Sequence, residues 1–343
     1  MSPPTHGRAT NAVVLATRRI GWAILVVVGV AVASWVMTAI LPGDPVKAAL
    51  GPQASPADVE RARAAYGLDV PAPVRFVRYA RRLVHTGGTA GEQGHESCGA
   101  IGPVHVDLGT SFTYRKPVIE LIAKRLPASI ELALAAMLVQ ILLGLSLGAL
   151  AAARRGKRTD DAIVATSVVL GATPTFVVGL LLQYVLAYRL GWLPLDGSGA
   201  SSGDTLRALA LPALTLGFFG TALFVRLVRT ELGRALGEPY VIAARARGAS
   251  RLRAGAVHAL RNAIAPIVQL GVLDLGALVG GAVVTERIFR WPGLGELAVV
   301  AIQNRDAQAI VGVTLVSAVG VVASTVVADV LGLWLDPRAR ERG

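Results

Sequence analysis

Six stretches of this sequence run for more than twenty positions with at most two charges each. They are Ile20–Leu41, Ala128–Ala152, Ala162–Tyr188, Leu206–Val228, Ala263–Val284 and Ala307–Leu335. A helix rises about 1.5 Å per residue, so roughly 20 apolar residues cross the hydrocarbon core of a bilayer. The pattern predicts six transmembrane helices and an all-α, polytopic membrane fold. The first stretch follows Arg18 and Arg19 and carries no charge. It exceeds the roughly 7–15-residue apolar core of a signal peptide, and no clean small-residue cleavage site follows, so it reads as a retained anchor.

Six spans put both termini on one side, and basic residues select that side. With the termini inside, eighteen Lys and Arg fall in inner segments, against five in the two short outer loops: Arg189, Arg207, Arg287, Arg290 and Arg305. Trp22 and Trp334 at inner ends and Trp192 and Trp291 at outer ends fit interfacial belts. Gly144 with Gly148, and Gly276 with Gly280, are spaced for close helix approach. Pro174 and Pro212 predict kinks in the third and fourth spans.

Two connecting segments break the simple pattern. The outer one, from residue 42 onward, starts a helix at Ser55-Pro56-Ala57-Asp58, with Val59, Ala62 and Tyr66 on one face and Gly67 as the stop. A second helix over about Val74–Val84 sets Val74, Val77 and Leu83 against Arg75, Arg78 and Arg82, which suits an interfacial cap. The inner loop 229–262 predicts a helix-glycine-helix hairpin. Glu238-Pro239 opens a helix over Tyr240–Arg247, Gly248 closes it, and Ser250 caps a second helix running to Ile264. Its Arg245, Arg247, Arg251 and Arg253 suit either contact with anionic lipid or, with the small Ala243-Ala244 pair, docking into a protein groove.

Composition agrees with the spans. The chain has 343 residues, is 53% hydrophobic and only 16% charged, and has a mean hydropathy of +0.57. That excludes an ordinary soluble enzyme and a disordered tail protein. The net charge of +12 comes with only 5% aromatics and no basic run interleaved with them, so it is not a nucleic-acid signal. The single cysteine, Cys98, excludes an internal disulfide framework. No phosphate loop, dinucleotide fingerprint, zinc-protease motif or nucleophile elbow is present, so the expectation is a chain that is not an enzyme, with no cofactor of its own.

The segment EPYVIAARARGASRLRAGAVHALRNAIAP (Glu238–Pro266) resembles the coupling region of ABC-importer permeases, and more narrowly the first-permease subunit of the dipeptide/oligopeptide/nickel branch. LPGDP (Leu41–Pro45), YGLDVPAPVRFVRY (Tyr66–Tyr79), RLPASIELALAAM (Arg125–Met137), LGWLPLDGSG (Leu190–Gly199), FRWPGLGEL (Phe289–Leu297) and WLDPRAR (Trp334–Arg340) agree with it. Against the broad E-A-A–glycine permease pattern, Ala243, Ala244, Gly248 and Leu260 match; Ile242 replaces the glutamate, His258 an isoleucine and Arg261 a proline.

The resemblance implies a type I importer transmembrane domain. A cytoplasmic tail would cover 1–19, an anchor 20–41, an extracytoplasmic segment 42–125, a permease core 126–335 with its coupling loop at 229–262, and a second cytoplasmic tail 336–343. It implies docking on an ATPase through Glu238, Tyr240, Ala243, Ala244, Arg247, Gly248 and Leu260. It also implies a second permease, two ATPase subunits that use ATP and Mg, an extracytoplasmic solute-binding protein, and a place in the inner membrane. Peptides are the expected cargo; nickel or another small solute fits the same architecture, and an ATP-independent secondary transporter is the rival from another class.

Two clusters remain. Asp274 is the deepest charge, about eleven residues from either end of its span. An acid there faces either the pathway, favouring cationic substrates, or a helix interface that holds it neutral. His85, His95, Cys98 and His105 crowd the outer segment with ligand types that suit a borderline divalent metal, although the glycine-rich spacing equally suits a flexible polar loop.

Overall fold

The computed structural model describes residues 6–40, 46, 50, 53–65, 69–86, 97–101, 104–197, 205–250 and 253–335. The helices are α1 (His6–Ile40), α2 (Pro56–Ala65), α3 (Ala72–Leu83), α4 (Val118–Ala153), α5 (Arg158–Ala172), α6 (Thr175–Leu182), α7 (Thr205–Leu236) and α8 (Pro239–Ala246). They continue with α9 (Leu260–Gly281), α10 (Val283–Ile288), α11 (Leu294–Gln303) and α12 (Ala307–Leu335). π-helical segments extend α6 over Gln183–Arg189 and precede α9 over Ala254–Ala259.

Among the described residues four helices are long and apolar enough to cross a membrane: Val118–Ala153, Thr205–Leu236, Ala254–Gly280 and Ala307–Gly332. The expected third span is not one rod. It breaks at Pro174 into α5 and α6, which meet at 99°. Proline removes an N–H and crowds the preceding turn, and here the sharp bend replaces the kink predicted from sequence. Helix α7, by contrast, continues through Pro212. The first stretch contributes a shorter apolar run, Gly21–Met37, within α1. The count of six is thus approximate: four single helices, one bent pair and this shorter run.

The chain forms two compact units. The first comprises Met1–Leu15, Ile130–Trp291 and Gly320–Gly343, and α7 is its centre: 61% of its apolar window is buried, against 22–33% for the other three. Trp291, expected in an interfacial belt, is only 3% exposed and packs against Gly197 in this unit, whereas Trp22, Trp192 and Trp334 are exposed.

The second unit comprises Ala16–Ser129 and Pro292–Val319. Its core joins Leu108, Val118 and Ile122 to Leu294, Leu297, Ala309 and Val313. Ser55 caps α2 as predicted: its Oγ accepts from Asp58 N at 3.2 Å. Tyr66 and Gly67 lie outside the described residues. On α3 the buried side matches the predicted one only at Leu83. Val74 and Val77 are exposed, while Phe76 stacks edge-on against Trp35 at 5.1 Å and Leu83 joins the core.

Where sequence suggested an open loop, Val84–Thr86, Cys98–Ile101 and Val104–Asp107 form an antiparallel sheet, β1 to β3, ordered β1-β3-β2. This is the exception to an otherwise helical fold.

Asp306 organises the unit. Fully buried, it caps α12 by accepting from Ala309 N at 3.2 Å, and its other oxygen accepts from Ser111 Oγ at 2.5 Å and Thr113 N at 3.0 Å. Replacing Asp306 with Ala removes the cap and strands two donors. We expect a loss of about 2 kcal/mol, read as a lowered unfolding temperature in detergent, with Asp306→Asn losing less. An unchanged melting temperature contradicts this role.

Candidate functional site

The hairpin after α7 is built by local chemistry. Gly237 separates α7 from Glu238, whose extended backbone precedes Pro239 at the first position of α8. Proline is preorganised there, because its missing N–H has no helical partner in any case. At the other end Gly248 takes φ +95°, a left-handed conformation suited to glycine. Gly248 N donates to Arg245 O at 2.9 Å and Ala249 N to Ala244 O at 3.1 Å, which together make a Schellman closure. Ser250 then caps the next turn, its Oγ accepting from Arg253 N at 3.2 Å. The second arm does not stop at Ile264, as sequence suggested. It runs from Ala254 into α9 as one continuous helical span.

Val241 is buried against Ala152, Leu232, Ala235, Ala254 and Ala259, and Ala244 is buried on the same helix. The small side chain of Ala244, expected on a docking surface, is only 4% exposed in this chain, and Leu260 packs against the Val241 cluster. Of the other candidates, Glu238, Tyr240, Arg247 and Gly248 are exposed and Ala243 is half-buried. Ile242, read from sequence only as a departure from the family pattern, is 57% exposed beside them. An isolated apolar side chain on a short, arginine-flanked helix was the available signal.

A second feature escaped sequence reading. Arg229 of α7 grips Asp160 of α5 through two bonds, Nε to Oδ1 at 2.5 Å and Nη2 to Oδ2 at 2.7 Å. Gly156 N adds a third bond to Asp160 at 3.0 Å. Bidentate geometry fixes both position and orientation. Counting Arg229 only as a topological charge concealed this partner.

Between α4, α5, α6, α7, α9 and α10 lies a cavity of about 580 Å³, lined among others by Gln140, Thr175, Phe219, Arg226, Asp274 and Thr285. Asp274 lines this cavity, and the Gln140 side chain lies close to its carboxyl. Gln140 is 1% exposed, and its amide donates to Leu216 O at 3.3 Å. It is the only amide in Ala128–Ala152, which was its signal in the sequence.

Small residues let the helices approach α7. A Cβ on Gly144 would lie 2.3 Å from Phe224 Cβ, and one on Gly148 would lie 2.7 Å from Val228 Cβ. Gly276 approaches α12 as closely, against Ser324 and Val321.

In the sheet, His85 stands opposite His105 in register and Cys98 opposite Asp107. His95 lies outside the described residues. Among the described residues no group of three or more metal-ligating side chains is assembled.

Comparisons with known proteins extend over the whole of this architecture. The family described as "Binding-protein-dependent transport system inner membrane component" matches residues 144–341, and its N-terminal counterpart matches 13–133. A probable D,D-dipeptide transport system permease of Escherichia coli is 33% identical, covering 93% of this chain and 95% of its own. The oligopeptide transport system permease AppB of Bacillus subtilis is 34% identical over 94% and 97%. The glutathione transport system permease GsiC of Salmonella paratyphi A is 34% identical over 91% and 94%. Among solved structures, the inward-facing MetNI methionine ABC transporter matches with a TM-score of 0.52 at 17% identity, over 64% of this chain and 98% of that one. That likeness establishes the fold.

The close approach at α7 gives a direct test. Gly144→Ala places a methyl inside Phe224 and should destabilise by about 1–3 kcal/mol, seen as lower yield and a lower melting temperature in detergent. A variant as stable as the wild type would contradict the contact.

Proposed function

The chain belongs to the family of binding-protein-dependent transport system inner membrane components, and from that premise we propose that it is the membrane-spanning permease subunit of an ATP-driven importer of short peptides. One observation carries the mechanical part of this reading: an exposed helix, α8, is mounted on a buried base. Val241 is held from below and Ala244 is buried, while Tyr240, Ile242 and Arg247 are exposed. Such a surface suits a groove in an ATPase subunit, with apolar anchors at its centre and arginines at its rim.

The working assembly pairs this chain with a second permease, two ATPases and an extracytoplasmic binding protein. ATP and Mg belong to the ATPases. The Arg-rich loops favour placing both termini and the hairpin on the cytoplasmic side of the inner membrane. When ATP draws the ATPases together, α8 moves with them. Gly237 is the single residue between α7 and the Glu238 cap of α8, and the second arm of the hairpin continues into α9, so a push on α8 reaches the helices that line the cavity. Each partner biases the equilibrium only through its differential affinity for the two states. The peptide assignment draws on relatives named for dipeptides, oligopeptides and glutathione.

The test is retention of the ATPase by the tagged, intact complex. Ile242→Asp and Tyr240→Ala should each reduce co-purified ATPase by about tenfold while leaving the melting temperature of the permease unchanged. Full retention in both variants would remove α8 as the docking element.

A further inference from the structure

The cavity along α7 is chemically uneven. Among its lining residues there is one acid, Asp274, and one base, Arg226. Neither makes a salt bridge among the described residues. Near the acid the balance of hydrogen-bonding groups is one-sided: Asp274 Oδ2 and Gln140 Oε1 are both buried and both lack a donor. Two buried acceptors without donors, on two residues that line the same cavity, are unfavourable until a donor reaches them. A primary ammonium carries three donors and a positive charge, so a single group of that kind satisfies both acceptors.

The other end has a matching partner. Gln140 lies over Gly220, where a Cβ would meet its amide nitrogen, and both residues line the cavity with Asp274. Arg226 also lines the cavity, six residues after Gly220 and so about 9 Å further along the axis of α7 at the backbone. Its guanidinium is suited to a carboxylate. An extended chain spans at most about 3.5 Å per residue, so a di- or tripeptide sets its charged ends roughly 7–10 Å apart. A cavity of about 580 Å³ is in the range that encloses a ligand of this size.

We propose that this cavity is a two-ended transit site for short peptides with free termini: Asp274 and Gln140 receive the α-ammonium group, and Arg226 receives the C-terminal carboxylate. The inference rests on the peptide reading above and adds to it the residues that select the substrate. In this conformation Asp274 Oδ2 and Gln140 Oε1 are covered, so loading accompanies the rearrangement that opens the path. Asp274 is then a specificity-determining residue, distinct from a carboxyl that merely fills a helix interface.

The experiment is uptake of radiolabelled trialanine by cells carrying the complete importer, with Asp274→Asn, Asp274→Glu and Arg226→Gln permeases. Assembly is followed by ATPase co-purification from the same cells. The expected result is a fall of about tenfold or more for Asp274→Asn and for Arg226→Gln, substantial uptake with Asp274→Glu, and full assembly in all three. Wild-type uptake in Asp274→Asn or Arg226→Gln overturns the site, since an acid held neutral for packing is replaced well by an amide. Equal loss in Asp274→Asn and Asp274→Glu together with loss of assembly also overturns it, by assigning Asp274 to packing. If the wild-type importer itself takes up no trialanine while its α8-dependent ATPase association persists, the short-peptide reading fails and the transit site falls with it.

Discussion

Close approach to α7 is the constraint on which the first unit depends. Within a bilayer, lipid tails are as apolar as leucine, so burying apolar side chains adds little drive to helix association. Contact must come from packing that lipid cannot match. Gly144 and Gly148 on α4 meet Phe224 and Val228, Gly171 on α5 meets Ala222, and Gly217 and Gly220 on α7 itself admit Val139 and Gln140. Each pair replaces a lipid-filled gap with backbone and side chain at van der Waals distance. The polar pair Asp160–Arg229 adds direction to this packing, because its bidentate bonds allow one orientation of α5 against α7.

The same helix then joins two chemically different places. Around its middle, Gly220 leaves room for Gln140, and so for the Gln140–Asp274 pair that borders the cavity. At its end, one glycine separates it from α8, whose buried face rests partly on Leu232 and Ala235 of α7. A displacement of α8 therefore has little slack to lose before it reaches the cavity wall. In the second unit Asp306 has a comparable part, since one carboxylate fixes the start of α12 and the loop at Ser111 and Thr113.

Much of this was legible in the sequence because it depends on local rules. Apolar length located the long spans, Pro239 and Gly248 bounded α8, and Ser55 and Ser250 marked caps. Asp274 stood out because charge is rare at such depth. What stayed hidden depends on pairing across distance. Nothing local says that Arg229 seeks Asp160, that Ala244 turns inward while Ile242 turns outward, or that Gln140 meets Asp274. The sheet at Val84–Asp107 was missed because its strands are only three or four residues long and are bounded by glycine, so they carry little periodic signal. The 99° break at Pro174 was underestimated because proline permits both a kink and a full interruption, and the neighbouring helices decide between them.

The central claim is that α7 and α8 move as one body, carrying motion between the hairpin and the cavity. Spin labels at Leu223→Cys, beside the cavity, and Ala246→Cys, on α8, in a Cys98→Ser background, measure this directly by pulsed electron resonance in the assembled importer. The account predicts the same distance between the labels in the nucleotide-free and ATP-trapped states. A change approaching one helical turn, about 5 Å, would contradict it.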